Sequence, residues 1–95
     1  MNLEKKKVNQ EKYYCVGYSP ELKKYILAKM ITQVVWFNRY YAISEEEYNA
    51  FGTVLLDELA DILYKQGCNS ERFLFSEKKE ENNQNQLKLQ DEIKK

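Results

Sequence analysis

The sequence predicts an α+β fold: an antiparallel sheet of about four strands, in the order β-β-β-α-β, with one long helix packed on one face. Three observations predict it. Lys12 to Ile43 reads as extended chain with Tyr13, Tyr14, Tyr18, Tyr25, Trp36, Phe37, Tyr40 and Tyr41 spread over both alternating faces. Ser44 to about Gln66 carries a helical repeat with readable ends. A short alternating run, Glu71 to Ser76, returns to strand character afterwards.

The first strand is Lys12 to Tyr18 (KYYCVGY). Ser19 and Pro20 open a turn, since proline fixes φ at the second turn position. The second strand, Tyr25 to Ile31, then forms a hairpin with the first. Thr32-Gln33 is a brief polar break. The third strand runs from Val34 to Ile43 and is antiparallel to the second.

Ser44-Glu45-Glu46-Glu47 fits a capping box, with Ile43 and Tyr48 at the staple positions. The three glutamates suit the positive end of the helix dipole. Lys65 and Gly67 mark the other end, glycine supplying the left-handed residue that stops a helix. Between them Tyr48, Phe51, Leu55, Leu59 and Ile62 form the stripe expected to be buried. Gly52 falls on this stripe, where its missing Cβ would let helix and sheet approach closely. In the fourth strand Phe73 and Phe75 are expected on one side.

Ninety-five residues make one domain at most. Residues 1–11 are expected to be flexible and residues 12–76 to be the folded unit. Residues 77–95 are rich in Glu, Lys, Asn and Gln, and a disordered polar tail is expected there. Formal net charge is zero, yet unevenly spread. Lys5, Lys6, Lys7 and Lys12 stand against Glu4 and Glu11, a balance of plus two, while residues 13–76 balance at minus two. No strong basic field exists, so nucleic-acid binding has little support.

The chain has no histidine, which removes the commonest general base and metal ligand. Its two cysteines, Cys15 and Cys68, form no C-x-x-C pair, and they read as small hydrophobes rather than as a disulfide. Gly17, Gly52 and Gly67 are scattered, so no phosphate-cradling loop is present. No catalytic, metal or cofactor residues are expected, and a non-enzymatic role follows. MNLEKKKVNQ lacks the apolar core of a secretory signal, and no apolar run is long enough to span a membrane. A cytoplasmic location is the expectation.

Two surfaces qualify as binding sites. On the outer helix face, Glu46, Val54, Asp57, Asp61 and Tyr64 form an acidic patch with apolar anchors. Carboxylates so placed can oppose a basic, nucleic-acid-cleaving partner. The plainer alternative is a solvated face with an Asp61–Lys65 pair. On the sheet, Ile26, Ala28 and Met30 are assigned to the helix side. Tyr25, Leu27, Lys29, Trp36, Tyr40 and Arg72 are left for a partner or a homodimer, being rich in hot-spot residue types. One helix covers one sheet face, so the other is expected to lie open.

In size, α+β build, strand-helix order and Lys- and Asn-rich composition, residues 12–76 resemble small bacterial immunity proteins, which neutralise a cognate toxin. The resemblance implies a protein partner, a toxin domain such as a nuclease, blocked by occlusion of its active site. It rests on architecture and composition and carries no site residues across. Two other functions fit the same features: a phage or mobile-element inhibitor of a host complex, and a single-stranded nucleic-acid module stacking bases on sheet aromatics. Genomic neighbourhood separates the first two. The third needs basic residues among the rings, where only Lys29, Arg39 and Arg72 are available.

Overall fold

A computed structural model describes residues 1–94. It shows an α+β fold with five antiparallel strands in sequential order: β1 (Glu4–Asn9), β2 (Tyr14–Ser19), β3 (Lys24–Thr32), β4 (Trp36–Ile43) and β5 (Phe73–Ser76). Helices α1 (Glu45–Asn49) and α2 (Val54–Gln66) lie against one face, and α3 (Gln84–Lys94) packs on the other.

The N-terminal end differs from expectation. Residues 1–11 are not loose, because Glu4–Asn9 forms an edge strand paired with β2. Its three consecutive lysines hide it from a hydrophobicity reading, yet lysine on an edge strand is what discourages intermolecular pairing. The strand is held by side chains. The Tyr48 hydroxyl donates to the Lys5 carbonyl, and the Lys7 ammonium sits 4.3 Å from the Tyr48 ring centroid. The chain before β1 crosses Gly17 closely: a Cβ there would lie 2.8 Å from Leu3 Cβ.

The long helix is broken. Ser44 caps α1 as expected: the Glu47 amide donates to Ser44 Oγ (3.1 Å) and the Ser44 amide to the Glu47 carboxylate (2.8 Å). Gly52 then takes φ +91°, a conformation glycine adopts without the Cβ penalty. Thr53 is extended, and its hydroxyl donates to the Ala50 carbonyl. No neighbour lies within 4 Å of the missing Gly52 Cβ, so the glycine serves the turn and not a close approach. The break resets the helical phase. Leu56, Ala60 and Leu63 are buried, whereas Leu55 and Ile62 face solvent.

The sheet assignments are corrected in the same way. Leu27 lies under α2 with Tyr14, Val16 and Tyr41, while Ile26 and Ala28 face α3. The β4–β5 register slips between Tyr40 and Tyr41, leaving Leu74 as an extra residue. That bulge sends Phe73 to the α2 side and Phe75 to the α3 side, so the two rings do not share a face.

The largest difference is α3, in the stretch expected to be disordered. Leu89 and Ile93 pack against the cluster of Ile26, Ala28, Tyr40 and Phe75. The sheet face expected to lie open is therefore largely covered by the chain itself. The connection into α3 is fastened at several points. Arg39 forms a two-pronged ion pair with Glu81, its Nε donating at 2.9 Å. Asn82 exchanges hydrogen bonds with the Ser76 backbone at 2.7 and 2.8 Å. Asn83 and Gln86 cap the helix reciprocally at 2.8 and 2.9 Å. Lys95, the end of the expected tail, lies outside the described residues.

Candidate functional site

The two sets of expected binding residues are rearranged by the fold. The helix-face set mostly survives as a unit. Val54, Asp57, Asp61 and Tyr64 line one groove of about 670 Å³ between α2 and the turn that joins β1 to β2. Glu46 is exposed on α1, beyond the helix break, and does not line this groove. The sheet set is divided. Tyr25 and Leu27 pack under the helices. Tyr40 is buried beneath α3. Arg72 donates to both carboxylate oxygens of Glu47 at 2.6 and 2.9 Å. Trp36 stands 60% exposed at the sheet end. Lys29 alone joins the helix-face residues in the groove.

The groove is built from both layers. β3 delivers Lys29 and the β1–β2 turn delivers Glu11, Lys12 and Tyr13. α2 presents Asp57, Glu58 and Asp61 along one side, because residues three and four apart share a helix face. Four carboxylates against two lysines leave the lining acidic. Sequence reading missed Glu58 and Ala60 on α2, and away from the helix it missed Glu11, Lys12 and Tyr13. The last three sit in a turn created by β1, and without β1 there is no reason to bring them to α2.

Asp57 fixes the groove to the core. It accepts from the Tyr14 hydroxyl at 2.5 Å and from Asn9 Nδ2 at 3.4 Å. Burial, with the adjoining Asp57 carboxylate, pushes the Tyr14 phenol up to about 12. Lys29 spans the floor. Its ammonium donates to the Lys12 carbonyl at 2.6 Å and lies 5.3 Å from the Tyr64 ring centroid and 6.0 Å from that of Tyr13. Desolvation pulls its pKa down, partly opposed by Asp61. Asp61 also pairs with Lys65 at 3.0 Å, both exposed, a pair of little energetic weight.

Cys15 and Cys68 are free thiols, and burial pushes the pKa of each upward. Among the described residues no cluster of metal-ligating side chains occurs, and no helix is long and apolar enough to cross a membrane. No protein-family model, curated protein or solved structure matches the chain.

Proposed function

We propose that this chain is a non-enzymatic, cytoplasmic protein-binding domain of the immunity type, which occludes a cognate toxin domain. The observation that carries the reading is the groove in which Glu11, Asp57, Glu58 and Asp61 flank the tyrosines Tyr13 and Tyr64. Carboxylates held on a rigid helix can stand where a nuclease expects phosphates, and tyrosine supplies contact area at low entropic cost. The same acidic lining repels nucleic acid, which disfavours the base-stacking alternative. An inhibitor of a host complex would use the groove in the same manner, and a toxin gene beside this one is the feature that separates the two.

The test is co-purification from the native host, comparing wild type with the Glu58→Lys, Asp61→Lys double variant. Both residues are exposed and outside the core, so the fold is retained. A partner held by the wild type and released by the variant supports the reading. Identical partners for both proteins, with equal affinity, would reject the groove as the interface.

A further inference from the structure

α3 covers only part of its sheet face. Toward the end where β3 turns into β4, the same face remains open as an apolar groove of about 380 Å³. Cys15, Ala28 and Met30 floor it, and Val8 and Trp36 stand at its sides. Beside this hollow is a projection of matching chemistry. The β3–β4 link carries Val34 and Val35 at 103% and 73% exposure, and no charged residue occurs from Thr32 to Asn38. An uncharged knob and a mainly apolar socket, with Lys6 its one charged lining residue, thus lie at one end of one molecule.

We propose that two copies of this chain associate through this end, each seating its Val34–Val35 tip in the groove of the other. A two-fold axis makes such a contact self-completing, since knob meets socket twice. The chain's zero net charge imposes no overall repulsion between copies. A specific interface needs about 1,000 Å² in total, or about 500 Å² from each copy. Val34, Val35, Trp36, Tyr13 and Val8, all exposed at about half or more of their surfaces, supply area of that order.

Tyr13 supports the same end from beneath. Its backbone is left-handed at φ +56°, a conformation that non-glycine residues seldom adopt. The Met30 amide donates to its carbonyl at 2.8 Å, and its ring meets Trp36 edge-on at 6.1 Å. The strained turn thus braces the tryptophan at the groove wall. A lipid surface fits less well. Glu77 and Glu80 outnumber Lys78 beside the tip, a lining that does not favour anionic headgroups.

The experiment measures sedimentation and fluorescence of the full chain from about 1 µM to about 1 mM, a range that brackets weak self-association. Trp36 is the sole tryptophan, so its emission reports this surface alone. Mass is expected to double with concentration while Trp36 emission shifts to the blue. Val34→Glu with Val35→Glu is expected to weaken association about 100-fold and to keep the wild-type melting temperature, because neither side chain is buried. A monomer throughout the range, or a dimer untouched by the double variant, overturns the proposal. So does a monomer whose Trp36 shifts only on adding phosphatidylcholine–phosphatidylglycerol vesicles, which assigns the surface to lipid. Glu58 and Asp61 lie outside this groove, so neither outcome depends on the toxin-binding reading.

Discussion

The Tyr14 hydroxyl on β2 donates to the Asp57 carboxylate on α2 at 2.5 Å, joining the sheet to the helix at the wall of the acidic groove. The bond is partly buried, so removing the donor leaves Asp57 with only a long contact from Asn9. Tyr14→Phe is expected to cost about 1.5–3 kcal/mol in chemical denaturation, the range for a hydrogen bond to a charged group. An alkaline signature accompanies it. The folded state holds the Tyr14 proton more tightly than the unfolded chain, its pKa standing near 12 against the usual 10. That contribution is complete below pH 10 and is lost as pH rises from 10 toward 12. Tyr14→Phe is therefore expected to show a shallower fall in stability across this window. An equal slope in both proteins would show that the phenol is not held.

α3 supplies the cover that makes the α3 side of the sheet a core. Deleting residues 84–95 exposes Ile26, Ala28, Tyr40 and Phe75 together. The expected result is a lower melting temperature and binding of a hydrophobic dye that the full chain does not bind. Leu89→Ala tests the same contact with less damage, and about 1–3 kcal/mol is expected, below a full core truncation because Leu89 is only half-buried. An unchanged melt after the deletion would mean that α3 contributes nothing to the fold.

Arg39 and Glu81 bear on acid stability. Hydrogen bonds from the Arg39 guanidinium hold the Glu81 carboxyl below the usual range, against the upward push of burial. At Glu47 burial again pushes upward, and Arg72 with the Ser44 cap outweighs it. Both carboxyls bind a proton less tightly when folded. Their stabilisation is present above the ordinary carboxylate pKa of about 4.3 and is lost as pH falls through the folded values. Glu81→Gln is expected to be about 1–3 kcal/mol less stable at pH 7. Its stability should also depend less on pH between about 5 and 3. Parallel pH curves for the two proteins would contradict this.

What was legible in the sequence tracks which forces were local. The Ser44–Glu47 cap, the Gly67 stop and the β3 strand came through because each depends on residues next to one another. The phase of α2 did not, since one residue at φ +91° detached it from Tyr48 and turned Leu55 and Ile62 to solvent. The bulge at Leu74 is a register event set by β4, which no alternation within Phe73–Ser76 encodes. β1 and α3 were obscured by composition: both are mostly polar, and both are stabilised by what lies across from them. α3 did carry a local signal. Asn83 to Gln86 is a cap pair of the same kind as Ser44 to Glu47, and reading it would have placed a helix in the tail. Of the candidate site, the spacing of Asp57, Asp61 and Tyr64 was legible because it is helical. Glu11 and Tyr13 were not, because the turn that holds them exists only when β1 pairs.

Gly52 separates the two readings of the helix. Alanine raises helix propensity by about 1 kcal/mol relative to glycine, so a continuous helix would be stabilised by Gly52→Ala. At φ +91° the methyl is instead strained, although the space around it is open. Loss of at least about 1 kcal/mol is expected, seen as a lower denaturation midpoint with unchanged slope. A gain in stability would indicate that α1 and α2 run together in solution.

Tyr41 is expected to respond in the opposite direction from Tyr14. Its side chain is fully buried among Leu27, Leu56, Leu63 and Phe73, and among the described residues its hydroxyl has no partner in hydrogen-bond geometry, the Arg39 guanidinium being near but not aligned to donate. Burial pushes the phenol up to about 12 even though the Arg39 charge opposes the shift. A buried, unpaired hydroxyl costs about 1–3 kcal/mol in desolvation, while the ring itself provides the packing. Tyr41→Phe keeps the ring and its edge contact with Phe73 at 5.6 Å. The variant is expected to be as stable as wild type or up to about 1 kcal/mol more so, the gain being limited by the small void left where the oxygen stood. The two phenylalanine variants share one chemistry and differ only in whether the deleted oxygen had a partner. If both lose stability equally, the Tyr41 hydroxyl has a partner in solution, and an ordered water beside Arg39 is the first place to look for it.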